Sequence, residues 1–269
     1  MPAGTQWYND PMAYKHTTAA NPMTYLRMVV LALLSVFIAL RVPFLGQNAL
    51  DFVAPRAVNL GILFSITVGF LMYKSLTRRS DLDHYIALEL NKIRRMYHLS
   101  RHVAAATTGA EAWFSAVRGS IREYLGMFRT FTFHEYDLGN PLFRSITYAI
   151  YALPTRVKKY NSDLYRALLD TAGQATEARE FIRAYKDDRI SLFSWIVVVI
   201  ISLIFSVLIM ASTPFELVLR GVGAMVILCL FLVLQLIFEH DHVNNLRESR
   251  WAARYAEDLI SLDHADRMK

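Results

Sequence analysis

The chain has 269 residues, 54% of them apolar and only 19% charged, with a net charge of +6. The apolar residues gather in long charge-free blocks, which excludes both a disordered chain and an ordinary soluble domain. A single cysteine, Cys229, excludes an intrachain disulfide or a thiolate metal cluster, and inside its apolar block it reads as a packing residue.

Residues 1–24 are mostly polar and read as an N-terminal cytosolic segment. A hydrocarbon core about 30 Å thick takes roughly 20 helical residues, and four blocks approach that length. The first spans about 25–43, where only the interval between Arg27 and Arg41 is uncharged, so both arginines must snorkel to the interfaces. No small-residue cleavage site follows it, so it reads as a span and not as a secretory signal. The second spans about 57–75, closing a first transmembrane hairpin over 25–75.

Residues 76–189 hold most of the Lys and Arg and read as a helical cytosolic region. Between Gly69 and Gly109 there is no Gly or Pro, while Leu82, Ile86, Leu90, Ile93 and Tyr97 recur at helical spacing. The second span therefore continues out of the membrane as one helix of up to about 50 residues. A helix follows over about 110–129, with Trp113, Val117, Ile121, Leu125 and Phe128 on its apolar side. "DLGNP", residues 137–141, reads as a turn before a shorter helix through Leu153. From Pro154 a helical pattern leads into the third span, interrupted at Gly173.

The third and fourth spans cover about 190–213 and 219–238, a second hairpin over 190–238. The tail, 239–269, reads as an amphipathic helix with Leu246, Trp251, Tyr255, Leu259 and Leu262 on one face. The fold class is thus all-α, an integral, multi-pass membrane protein with four spans. Basic residues flanking the spans place both termini and residues 76–189 in the cytoplasm.

Candidate chemistry is sparse. "FEHDH" sets Glu239, His240, Asp241 and His242 at the end of the fourth span, but adjacent helical residues point in different directions. His98 and His102 share a face with no carboxylate on the next turn. Neither group makes a metal site by spacing. No phosphate-binding glycine loop, nucleophile elbow or HExxH is present, so no enzyme and no cofactor is indicated. The basic groups Arg94, Arg95 and Arg101 lack the density that nucleic-acid binding asks for.

The most informative stretch is "LGILFSITVGFLMYKSLTRR", residues 60–79. One row of it is small (Gly61, Ser65, Gly69) and the next is bulky and apolar (Ile62, Ile66, Phe70). Small residues every four positions let another helix approach closely. If several copies pack through them, the bulky row converges on an axis, and stacked apolar rings gate ions by dewetting. The alternative is that both rows pack against the other spans. Lys74 and Arg78 continue the pattern, and a cation at a pore mouth would favour anions.

The same stretch resembles the second span of bestrophins, the bacterial ones above all. It carries an LGI, a GF eight residues on, and a Ser and Arg just beyond. "VAP" at 53–55 resembles the segment before that span, and Arg27 followed by "VVLALLSVF" is similar to the family's first span. The resemblance implies an ion channel that conducts passively, in many members chloride or other small anions. In some bacterial members the ions are cations. The resemblance further implies a homopentamer around one pore, lipids and small inorganic ions as the other partners, and Ile62, Ile66 and Phe70 as the neck. The acidic cluster that follows the last span in calcium-gated members has only scattered counterparts in "FEHDHVNNLRESR". A non-conducting membrane scaffold is the competing reading, and a membrane enzyme or metal sensor built on His98, His102, Glu239, His240, Asp241 and His242 is a third, weaker one.

Overall fold

The structure is a computed structural model that describes residues 22–130, 133–241 and 245–267. Among these no strand occurs; the elements are helices α1 (Pro22–Arg41), α2 (Gln47–Ala106), α3 (Glu111–Met127), a 3-10 helix (Phe133–Gly139), α4 (Asn140–Tyr151), α5 (Thr155–Tyr160), α6 (Ser162–Asp187), α7 (Leu192–Ala211), α8 (Leu217–Asp241) and α9 (Asn245–Arg267). The long second helix is longer than its sequence pattern implied. It begins before Pro55, which sits inside it, and runs 60 residues.

Among the described residues three helices are long and apolar enough to cross a membrane: α2, α7 and α8. In their most apolar windows only 17%, 17% and 28% of residues are buried within the protomer. That inverts the pattern of a soluble core, where such residues face inward, and marks surfaces made for lipid or for other helices. Surfaces of this kind are those of an integral membrane protein. Helix α1 exposes Tyr25, Leu26, Val29, Leu33, Phe37 and Leu40 in the same manner. Cys229, expected to pack, is exposed on the protomer.

The chain divides into two compact units. One comprises Met1–Asn59 and Ser202–Val233, of which residues 22–59 and 202–233 are described. It is held by a cation on carbonyls. Arg220, 6% exposed, donates from Nη1 to the carbonyls of Ala39 (2.9 Å) and Val42 (2.7 Å) and stacks on the Phe215 ring at 4.0 Å. Ala39 and Val42 lie at the C-terminal end of α1, where carbonyls have no helical partner and positive charge is favoured. Nearby, Gly223 brings α8 onto α7: a methyl group there would lie 2.7 Å from the Met210 sulfur.

The other unit, Leu60–Ile201 with Leu234–Lys269, carries the large hydrophobic core. Leu82, Ile86, Leu90, Ile93 and Tyr97 from α2 are all buried, as are Trp113, Val117, Ile121, Leu125 and Phe128. Helix α9 closes the core with Trp251, Tyr255, Leu259 and Leu262. Helices α2 and α6 run antiparallel along most of their length. Contacts between them pair Lys74 with Asp188, Tyr85 with Phe181 and Lys92 with Gln174, and Asn161 just before α6 with Thr107 just after α2.

The pattern after Pro154 breaks at different places from those its sequence suggested. Gly173 lies inside α6, exposed, while Leu168, Ala172 and Ala175 hold the opposite face in the core. The helix stops instead after Asp187; beyond it the Asp241 carboxylate accepts the N–H of Ile190 at 2.9 Å, and Ser191 Oγ accepts the N–H of Ser194 at 3.1 Å to cap the start of α7. "DLGNP" is not an isolated turn: Asp137–Gly139 end the 3-10 helix and Asn140–Pro141 start α4 directly. Gly139 leaves room there for Met127: a methyl group would lie 2.7 Å from Met127 Cε, so that side chain would have to shift.

Candidate functional site: a membrane helix and its clasp

Helix α2 between residues 61 and 73 has two distinct faces. Phe64, Val68 and Leu71 are buried within the protomer. Ile62, Ile66 and Phe70 are 55%, 66% and 65% exposed, and Tyr73 continues their row. The two sets recur at three-to-four spacing, so they occupy opposite sides of one helix.

The small row lies between these faces. Ser65 donates its hydroxyl to the Gly61 carbonyl at 2.9 Å, and Thr67 donates to Leu63 at 2.8 Å. Both polar side chains are thereby satisfied within their own helix and leave a surface a neighbouring helix can approach. A side chain at Gly69 would meet no atom within 4 Å in the protomer. The bulky row and Gly69 are therefore open on the protomer, while the core packing of α2 rests on residues outside both rows.

The two cations expected at a mouth are placed otherwise. Arg78 is 4% exposed and is removed from any aqueous opening. Its guanidinium donates to the carbonyls of Tyr185 (2.6 Å), Lys186 (2.7 Å) and Asp241 (2.7 Å), with the Asp241 carboxylate 3.5 Å away. The reason is helical rotation: Arg78 follows the buried positions Leu71 and Ser75, not the exposed Phe70 and Tyr73. Lys74 is partly exposed but pairs with Asp188 at 3.0 Å.

Asp241 is the other half of this clasp. It also accepts from the Trp195 indole at 3.4 Å, so one carboxylate and one guanidinium join α2, the end of α6, the start of α7 and the end of α8. Charge-assisted bonds to the exposed carbonyls of a helix end are the strong kind. This use of Asp241, with His240 bonded through Nδ1 to the Leu236 carbonyl (2.8 Å), disperses the "FEHDH" group. Its last residue, His242, lies outside the described residues. Among the described residues no three His, Cys, Asp or Glu side chains come together as metal ligands.

A second polar node lies deeper along α2. Glu89 is fully buried and accepts O–H donors from Tyr124 (2.7 Å), Tyr136 (2.8 Å) and Tyr255 (2.5 Å), with Arg179 Nη1 at 3.4 Å. Arg179 is itself held by Asn140 Oδ1 (3.0 Å), the Tyr136 carbonyl (3.1 Å), the Tyr124 hydroxyl, and the faces of Tyr136 (4.2 Å) and Phe143 (5.1 Å). Burial, and after it the Glu89 charge, pushes all three phenols well above their usual range, so they remain donors. The node fastens α3, the 3-10 helix, α6 and α9 to α2. Helical periodicity missed it because Glu89 and Arg179 are charged residues on buried stripes; a charge flanked by Ile86, Leu90 and Ile93 was the available signal.

No sequence-family profile matches this chain, and no curated protein is detectably similar in sequence. Solved structures are similar in fold. A single-site variant of a bacterial bestrophin homologue from Klebsiella pneumoniae superposes with a TM-score of 0.66 at 14% identity, covering 88% of this chain and 99% of that one. A second crystal structure of the Klebsiella pneumoniae homologue gives 0.63 at 13% identity, covering 87% and 97%. Another variant gives 0.62 at 14%, covering 88% and 97%. The chain has the bestrophin fold over nearly its whole described length.

Proposed function

We propose that this chain, with its bestrophin fold, is the protomer of a homopentameric ion channel whose narrow neck is formed by Ile62, Ile66 and Phe70 from each copy. The observation that carries the reading is the exposure of that row on a membrane helix, beside the small row that lets copies approach. The other proposed features are four spans, with α1 the fourth, and both termini and residues 76–189 on the cytoplasmic side. Domain limits remain those of the two hairpins, the helical region between them and the tail.

In such an assembly the side chains act by shape and wetting. Rings of apolar side chains around a narrow passage expel water, and an ion crosses only when the passage widens or fills. Gly61, Ser65 and Gly69 set how near the helices come, and so the bore. The Arg78–Asp241 clasp fixes where α2 leaves the membrane.

Selectivity follows from charge placement. Arg78 is enclosed and Lys74 is paired, so the anion preference expected from the sequence loses both of its carriers. An uncharged neck discriminates weakly between ions of opposite sign, and we propose that chloride is one of several small permeant ions.

The test uses Ile66→Cys in a Cys229→Ser background, reconstituted in planar bilayers. A charged methanethiosulfonate reagent changes the current if position 66 faces the passage. An unchanged current, with labelling shown by mass spectrometry, places Ile66 on lipid and ends the neck assignment. A wild type without current under any ion gradient leaves the scaffold reading in its place.

A further inference from the structure

Residues 138–162 contain Arg144, Arg156, Lys158 and Lys159 and not one carboxylate. They form α4 and α5, whose inward side chains Phe143, Ile146, Ile150 and Val157 join the core. The outward face carries Tyr148, Tyr151 and Tyr160, which are 67%, 54% and 75% exposed. Arg144, Arg156 and Lys159 are exposed beside them and have no carboxylate partner among the described residues. Tyrosine and arginine together on an open face are what protein interfaces are rich in.

The opposite charge runs along α6. Asp163, Asp170 and Glu177 recur every seven residues on its outward face, with Glu180 one turn further, and all four are exposed. Asp163 and Glu177 have no basic partner among the described residues.

We infer that these two surfaces are partners across neighbouring copies: the basic, tyrosine-bearing face of α4 and α5 docks on the acidic ridge of α6 in a second copy of this chain. The inference rests on the ring proposed above and names how its cytosolic walls are joined.

Height along α2 favours this occupant over lipid. The Asn161 amide donates to Thr107 at 2.7 Å, which ties the α5–α6 junction to the far end of α2. The Lys74–Asp188 pair ties the other end of α6 close to the membrane span. At 1.5 Å per residue these levels are about 50 Å apart, so Arg156 and Lys159 stand far from the bilayer that holds α2. In a ring about an axis along α2, groups that meet across copies share a height. Arg156 and Lys159 lie within about two turns of Asn161, and so do Asp163 and, just beyond, Asp170. One face meeting a different face is a head-to-tail contact, the kind that closes rings.

Two reversed variants and their combination test this: Arg156→Glu with Lys159→Glu, Asp163→Lys with Asp170→Lys, and all four together. Oligomer mass is measured in detergent at physiological salt, with circular dichroism reporting helix content. Each double variant is expected to dissociate at a concentration about tenfold or more above wild type, because like charges then meet face to face. The fourfold variant is expected to recover assembly, which also shows that the substituted helices fold. Two wild-type-like double variants, or a fourfold variant no better than the doubles, overturn the interface. Intact assembly combined with lost binding to phosphatidylglycerol vesicles or to polyglutamate also overturns it and gives the basic face to that partner. A monomeric wild type overturns the ring itself; an assembled wild type indifferent to both reversals overturns only this interface.

Discussion

Replacing Glu89 by Gln keeps the shape of the buried node and removes its charge, and the consequence can be worked from the contacts. The carboxylate accepts three phenolic O–H groups and faces Arg179, whose side chain is 3% exposed. An amide offers one acceptor oxygen and presents N–H groups to donors, so at least one tyrosine hydroxyl loses its acceptor. Breaking a buried ion pair from one side costs about 3–5 kcal/mol. Arg179 keeps Asn140, the Tyr136 carbonyl and its aromatic faces, which puts the expected loss at the lower end, about 3 kcal/mol. That is a large part of the roughly 5–15 kcal/mol by which a domain is stable. Denaturant titration of the purified protein, followed by near-ultraviolet circular dichroism, measures it. Tyr255→Phe removes one charge-assisted bond and is expected to cost about 1.5–3 kcal/mol, with the double variant less than additive. A Glu89→Gln loss below about 1 kcal/mol would refute the claim that this node fastens the unit together.

Arg78→Lys keeps the charge but cannot fork onto three carbonyls; a stability loss of about 2–4 kcal/mol is expected in the same titration, and a neutral result would dissolve the clasp. Asp137 is partly buried, which alone raises its pKa, but hydrogen bonds from Lys186 (2.6 Å) and Arg183 (2.8 Å) outweigh burial and hold it below the ordinary 3.8. A depressed carboxylate contributes stability above its unfolded pKa and loses it as pH falls through the folded value. Asp137→Asn should therefore weaken the protein at neutral pH and make its stability less steep below about pH 4; an unchanged acid limb would speak against the contact.

Much of the fold was legible because helix burial writes itself in period. The row Leu82, Ile86, Leu90, Ile93 and Tyr97, and the absence of breakers from Gly69 to Gly109, specify a long helix with one buried side. What was not legible depended on distant partners. Asp241, across the unit, holds the Ile190 N–H where α6 has ended, a pairing the local sequence does not show, whereas Ser191, which caps α7 by accepting the Ser194 N–H, is a start signal the sequence does carry. Gly173 reads as a break, yet it occupies the outer face of a helix whose inner face is secured by Leu168 and Ala175. The two rows of the membrane helix could be listed from spacing, but which side faced inward was decided by Phe64, Val68 and Leu71. The inward turn of Arg78 follows from that same rotation, and with it the anion argument lost its footing.

The neck is tested most directly by single-channel conductance of wild type and Ile66→Ala in planar bilayers. Shortening the middle ring of three lowers the dewetting barrier, so larger or longer openings are expected, with little change in the anion-to-cation permeability ratio. Unchanged conductance and gating in Ile66→Ala, against a conducting wild type, would contradict the account.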